Sequence, residues 1–377
     1  MNRALRILYY MLMTAAMGFG FMHLFVPDTF PYAFERLHVF LFNLCTGGTI
    51  ILLYSMGASS MNRTAGLFLS ASLAFAVCAF FKWYAPAILL ALLLSVIVES
   101  VRIRRFSLFP AGFFRKTESV ADKFNQASLL CLSMGLLISA GVMVNNTYTR
   151  WIDPMPKLQL DTFFLGFSFP LSLITLSVMF RLVTREASGI ARFLKVLGFW
   201  GVNLGVIIFF LFILFEKLVA QMVVTTLLFF CVIMIFYLFY QHVGRNQQRK
   251  FLSSGMSFLL FTAVTGIGYI VLEFFPGYYD RSGHVLLKLH SFASLYGWNL
   301  SGLIVISRFY DFPIRLHSIY LISWHWLTVA VLAPLGYYFT PFALVCLVSY
   351  MGFLYIVFFI KPRAGLYPLE ISAEASN

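Results

Sequence analysis

An all-α polytopic membrane protein is the fold class predicted, and three observations predict it. The 377-residue chain is 61% hydrophobic and only 11% charged, too little polar material to clothe a water-soluble core. Apolar runs of about 20 residues, long enough to cross roughly 30 Å of hydrocarbon, recur from one end to the other. The basic residues are also sided. With the N-terminus inside, twenty of the 27 Lys and Arg fall in predicted inner loops and tails. The other seven (Arg36, Lys82, Arg150, Lys157, Lys217, Arg281 and Lys288) fall outside. The net charge of +13 therefore reports orientation and not a nucleic-acid partner. An outer-membrane barrel is excluded because the apolar runs are continuous and not alternating.

About twelve spans follow, in three sets of four. The first, near 5–25, lies behind Arg3 and Arg6 and reads as a retained helix, since cleaving it as a signal would invert every later loop. Spans near 36–57, 64–82 and 84–100 come next, with Arg63 inside, Lys82 outside and Arg102, Arg104 and Arg105 closing the fourth. The basic stretch near 101–124, with Pro110-Ala111-Gly112, is expected along the inner membrane surface. A span near 125–146 leads to the outer loop NNTYTRWIDPMPK, whose Tyr148 and Trp151 suit the headgroup level. Spans near 158–180, 193–215, 218–240 and 254–275 alternate between Arg181/Arg185/Arg192 inside, Lys217 outside and Arg245/Arg249/Lys250 inside. The last three, near 284–306, 318–338 and 340–360, end at Lys361 and Arg363. Residues 1–377 thus form one integral membrane domain, predicted in a bacterial-type inner membrane with both termini cytoplasmic. The five cysteines lie in apolar spans without a CxxC pair and read as packing residues.

An internal repeat stands out. Arg36-Leu37-His38-Val39-Phe40, Gln159-Leu160-Asp161-Thr162-Phe163 and Lys288-Leu289-His290-Ser291-Phe292 open spans two, six and ten from the outer side. Their polar centres lie 123 and 129 residues apart, about four spans each. Parallel repeats of this kind arrange themselves about an axis normal to the membrane.

Ionisable groups inside a span are costly and usually face a bundle interior or water, so each is a candidate site residue. His23, Glu35, Arg36, His38, Asp161, Glu216, Glu273, His284, Lys288 and His290 gather toward the outer side. His23, His242 and His317 read as interfacial histidines. His325, between Trp324 and Trp326, is open between a core histidine and a ligand or relay. His38 and His290 occupy equivalent repeat positions. Two imidazoles from facing helices could hold a low-spin haem iron, with Arg36 and Lys288 toward its propionates. The alternative for the pair is interhelical hydrogen bonding to Glu35, Asp161 or Glu273.

On these residues the chain resembles the catalytic subunit of the haem–copper oxidases and nitric oxide reductases. RLHVFLFNLCTGG at 36–48 is similar to that family's second-helix haem segment, and HSFASLYGW at 290–298 to its tenth-helix segment. The resemblance implies three arcs of four helices and a low-spin haem b held by His38 and His290. It departs where the family's second haem and copper would bind. Phe292 stands where another histidine is needed, and the sixth and seventh spans contain no histidine. Copper and oxygen or nitric oxide reduction are therefore not expected.

Three functions remain open on the sequence. One is an electron-transfer protein or respiratory-complex subunit, non-catalytic and working with quinol or a periplasmic carrier, with Asp161, Glu273 or His284 relaying protons. Another is a proton- or cation-coupled transporter using Asp161 and Glu273. The third is a cofactor-free structural subunit of a membrane complex.

Overall fold

Helix starts and stops are written into the loops by short polar caps. The computed structural model describes residues 2–27, 29–151, 164–183, 189–244, 247–308 and 316–360; Asp161 lies outside them. Helix α1 (Arg3–Gly20) starts where Asn2 Oδ1 accepts the Leu5 amide at 2.9 Å. Helix α2 (Phe34–Ser55) is followed by α3 (Arg63–Phe80), capped by Asn62 on the Ala65 amide at 2.8 Å. Helix α4 (Tyr84–Arg105) leads through a single short turn, Ala111–Phe113, to α5 (Val120–Thr149). Ser119 caps α5 by accepting the Asp122 amide at 3.0 Å. These caps satisfy amides that have no partner inside their own helix.

Helix α6 (Gly166–Arg181), α7 (Gly189–Leu214), α8 (Leu218–His242) and α9 (Gln247–Glu273) follow. Helix α10 runs over residues 284–307, and α11 (Ile319–Tyr338) and α12 (Thr340–Phe359) complete the described chain. Among the described residues there is no strand, and nine helices are long and apolar enough to cross a membrane. Helices α1, α6 and α10 are the shorter or more polar remainder.

The tight turns share one device. The Ala58, Trp83 and Lys217 amides each donate to the carbonyl five residues back, at 2.9, 2.8 and 2.9 Å. The residue before each is left-handed: Gly57 at φ 65°, Lys82 at 60° and Glu216 at 54°. This is the Schellman ending that glycine suits; at Lys82 and Glu216 a side chain is carried at roughly 1–2 kcal/mol.

Burial sorts the helices. The α2 span is 78% buried, whereas α7 and α8 are 17% and 22% buried, so α2 is interior and α7 and α8 show most of their surface to the surroundings. Helices α2, α6 and α10 contact one another, and α1 packs on α12. Small residues let backbones approach. The Cα of Gly166 on α6 sits where a Cβ on Gly135 of α5 would go, and the Thr175 side chain of α6 sits where a Cβ on Gly302 of α10 would go.

All three helices at this centre depart from α geometry. Nine residues of α2, Phe40–Gly48, are π-helical, as are Phe164–Ser168 leading into α6 and Ala293–Asn299 in α10. The π stretches begin two residues after His38 and three after both Asp161 and His290. Three more are Asn145–Thr149, Tyr279–Gly283 and Leu327–Leu332, the last beginning two residues after His325. Such widened turns recur at functional sites because they re-aim side chains without ending the helix.

Candidate functional site

His38 sits in the first turns of α2 and points its ring at α1. Its Nδ1 lies 2.7 Å from the Ala16 carbonyl and 2.9 Å from the Tyr296 hydroxyl of α10. A carbonyl can only accept, so Nδ1 carries the proton and Nε2 bears the lone pair. His290 on α10 repeats the arrangement against α9, with Nδ1 2.9 Å from the Thr262 carbonyl. Neither Nε2 has a hydrogen-bond partner among the described residues.

A glycine one turn beyond the accepting carbonyl makes room for each ring. A Cβ on Gly20 would come within 3.0 Å of His38 Nδ1, and one on Gly266 within 3.0 Å of His290 Nδ1. The two supporting helices also share a pattern: Thr14-Ala15-x-x-Gly18-x-Gly20 on α1 and Thr262-Ala263-x-x-Gly266-x-Gly268 on α9. The registers differ, His38 sitting over the second glycine and His290 over the first.

The neighbouring cations behave differently from one another. Lys288 Nζ pairs with Glu35 Oε1 at 3.4 Å and lies 3.8 Å from the centre of the Tyr337 ring. Tyr337 donates to the same Glu35 oxygen at 3.1 Å, and its carbonyl accepts from His23 Nε2 at 2.9 Å. This cluster ties α2, α10 and α11 together at one end of the bundle. Arg36 is exposed one residue away. His284 is exposed at the start of α10, and Glu273 is half-buried at the end of α9.

His325 is buried on α11. Its Nε2 donates to the Tyr296 carbonyl at 2.7 Å. The ring stacks on Phe353 at 4.5 Å and meets Phe258 edge-on at 4.9 Å. Its Nδ1 is buried without a partner. Tyr296 thus connects two histidines, His38 through its hydroxyl and His325 through its backbone.

A polar junction of α2, α6 and α10 lies beyond the reach of a search for charges. Asn43 Nδ2 donates to Ser168 Oγ at 2.7 Å, Ser172 donates to Asn299 Oδ1 at 2.9 Å, and Trp298 Nε1 donates to Ser172 at 3.0 Å. Asn43, Trp298 and Asn299 are fully buried. The signal that marks them is an amide or indole N–H at hydrocarbon depth, which must find a partner as surely as a charge does. Gly47 and Gly48 on α2 face Leu171 and Phe68 side chains, so their room is used for helix packing.

Both imidazoles hold a backbone carbonyl through Nδ1 and leave Nε2 without a partner among the described residues. Each ring is seated within its own helical pair, α1–α2 or α9–α10. Further along the two helices, Phe42, Phe292 and Tyr296 pack together, with Tyr296 ring centres 5.0 Å from Phe42 and 6.2 Å from Phe292. Among the described residues no group of three or more His, Cys, Asp or Glu gathers to hold a metal ion. No protein family, no curated protein and no solved structure matches the chain.

Proposed function

We propose that this chain is a membrane electron-transfer protein that binds one b-type haem through Nε2 of His38 and Nε2 of His290. The observation that supports it is the matched state of the two imidazoles: Nδ1 donating to a backbone carbonyl of the neighbouring helix, a glycine four residues past that carbonyl, and no partner for Nε2 among the described residues. An axial ligand anchors one nitrogen and keeps the other free for iron; His325 also keeps one nitrogen free, so the support comes from the match between His38 and His290 at equivalent repeat positions. The haem, when bound, supplies one-electron transfer near the outer membrane face.

On this reading α1, α6 and α10 join the nine longer helices to give twelve spans in three sets of four, in an inner membrane with cytoplasmic termini. The π stretches after His38, Asp161 and His290 support the repeat. Electrons pass to or from quinol or a periplasmic carrier. Arg36 and Lys288 would be the residues to meet the propionates, Lys288 giving up its pair with Glu35 to do so.

The test is a reduced-minus-oxidised absorption spectrum of the chain purified from haem-replete cells. A b-type difference band in the wild type that disappears in both His38→Ala and His290→Ala is expected. A wild-type protein with no Soret band under those conditions sinks the reading.

A further inference from the structure

The opposite end of the bundle holds a cavity that the reading above does not use. Helices α2, α4, α6 and α10 all finish there, at Ser55, Arg105, Arg181 and Ser307. Between them lies a space of about 80 Å³ walled by Ile50, Leu53 and Ile306 and by the polar side chains of Arg105, Arg181 and Ser307.

The two arginines are held and not spent. Arg105 Nη1 donates to the Ser55 carbonyl at 2.7 Å, and Arg181 lies 5.2 Å above the Tyr54 ring. Both approach one oxygen of Asp122, Arg181 at 3.4 Å and Arg105 at 3.7 Å. Two guanidiniums sharing one carboxylate leave a net positive charge and several free N–H donors. Among the described residues no acidic side chain lines the cavity itself. Ser307 supplies an independent sign of a ligand: its side chain is 95% buried, at 5% exposure, yet its Oγ has no partner. Other buried polar atoms also lack a partner, but this hydroxyl lies in the wall of a cavity between two guanidiniums, where an acceptor held by both arginines would complete it.

Four helix C-termini converge here, and their dipoles oppose an anion. That effect is a fraction of a kcal/mol per terminus and fades within a turn. A charge-assisted bond from a guanidinium to phosphate is about twice as strong as a neutral one, and two are available here. The guanidiniums win. A second cavity of about 320 Å³ shares Arg105, but its Arg115 is matched by Glu118 and Asp122, so its charges cancel.

We propose that the cavity bounded by Arg105, Arg181 and Ser307 binds a phosphate group, carried by an anionic phospholipid of the adjoining leaflet. The apolar wall of Ile50, Leu53 and Ile306 favours a lipid over a free anion, and this is the end that the distribution of Lys and Arg assigns to the cytoplasm, where basic pockets between helices take anionic headgroups.

The experiment uses the full purified chain, delipidated in detergent, with retention of phosphatidylglycerol and phosphatidylcholine measured by native mass spectrometry. Phosphatidylglycerol is expected to be retained in preference. Ser307→Ala removes a hydroxyl that bonds to nothing in the protein, so it should leave the unfolding temperature unchanged while weakening retention about tenfold. Arg181→Gln should abolish the preference, and Arg115→Gln, in the second cavity, should not alter it. Inorganic phosphate that binds as tightly as the lipid, and is lost in Ser307→Ala, supports the phosphate site and assigns it to the free anion. Equal retention of both lipids by the wild type, or unchanged phosphatidylglycerol binding in Ser307→Ala and Arg181→Gln, overturns the proposal.

Discussion

The hydroxyl of Tyr296 on α10 reaches across to within 2.9 Å of Nδ1 of His38 on α2, where the Ala16 carbonyl already accepts at 2.7 Å. The stronger acceptor holds the ring, and the tyrosine trims its orientation. Tyr296→Phe should therefore keep the His38 tautomer and lower stability by about 1 kcal/mol, the value of one neutral hydrogen bond. Thermal unfolding in detergent measures it; a loss as large as that of a cavity variant would mean that Tyr296 does more.

Glycines at neighbouring positions of α1 make a paired test. A Cβ on Gly18 meets nothing within 4 Å, whereas one on Gly20 meets His38 Nδ1 at 3.0 Å. Gly18→Ala should be neutral or stabilising by up to about 1 kcal/mol through helix propensity. Gly20→Ala and Gly266→Ala should be destabilising, because each pushes an imidazole off its carbonyl. Equal stability of the Gly18 and Gly20 variants would show that the rings are not held this closely.

Contact between α6 and α10 rests on the absence of a side chain at Gly302. Gly302→Ala should cost about 1–3 kcal/mol by overpacking against Thr175. Thr175→Ala in the same chain should restore part of the loss, a coupling readable in a double-mutant cycle.

His325 separates two substitutions. His325→Phe gives up one hydrogen bond, to Tyr296 O, but removes a buried Nδ1 that has no partner. The two effects are similar in size, so stability should stay within about 1 kcal/mol. His325→Ala leaves a hole among Phe251, Phe258 and Phe353 and should cost about 3–5 kcal/mol. Unfolding temperatures of the two variants, compared side by side, check the contrast.

Two ion pairs should differ in the same way. Glu99 takes Arg102 Nε at 2.9 Å and Nη2 at 2.7 Å, and the Arg102 side chain is only 4% exposed. Glu99→Gln strands a buried guanidinium and should cost about 3–5 kcal/mol. Glu35→Gln breaks a pair with Lys288 in which the Glu35 side chain is 58% exposed, and should cost less than about 1 kcal/mol. Similar losses at both sites would refute the distinction.

Most of the helical architecture was legible because a continuous apolar run has only one way to satisfy its backbone in lipid. The less apolar helices were legible by another route. Helix α10 carries His290, Trp298 and Asn299, and α1 carries Arg3 and Arg6, yet repeat spacing and loop charge still mark them. The likeness of His38 and His290 was legible from their repeat positions, whereas their anchors were not, because Ala16 and Thr262 act through backbone carbonyls that no side-chain pattern announces. Asn43, Ser168, Ser172 and Asn299 escaped because only ionisable groups were sought in the spans. Tyr296 reads as an ordinary aromatic until the fold brings α10 against α2. The π turns were invisible for a deeper reason: shifting an amide's acceptor from the fourth to the fifth residue back changes no residue's identity.

Phe40–Gly48 carries this further. A π turn holds surplus length, and each residue of an α-helix advances the side chains by about 100° around the axis. Deleting one residue there lets a widened turn relax to α geometry, so Thr49–Leu53 and Ser55, all buried, keep their heading and His38 stays where it is. The same deletion in a regular α stretch would turn everything beyond it by about 100°. The segment is thus a reserve of length within α2, and natural variants of the helix should place any single-residue insertion or loss inside it.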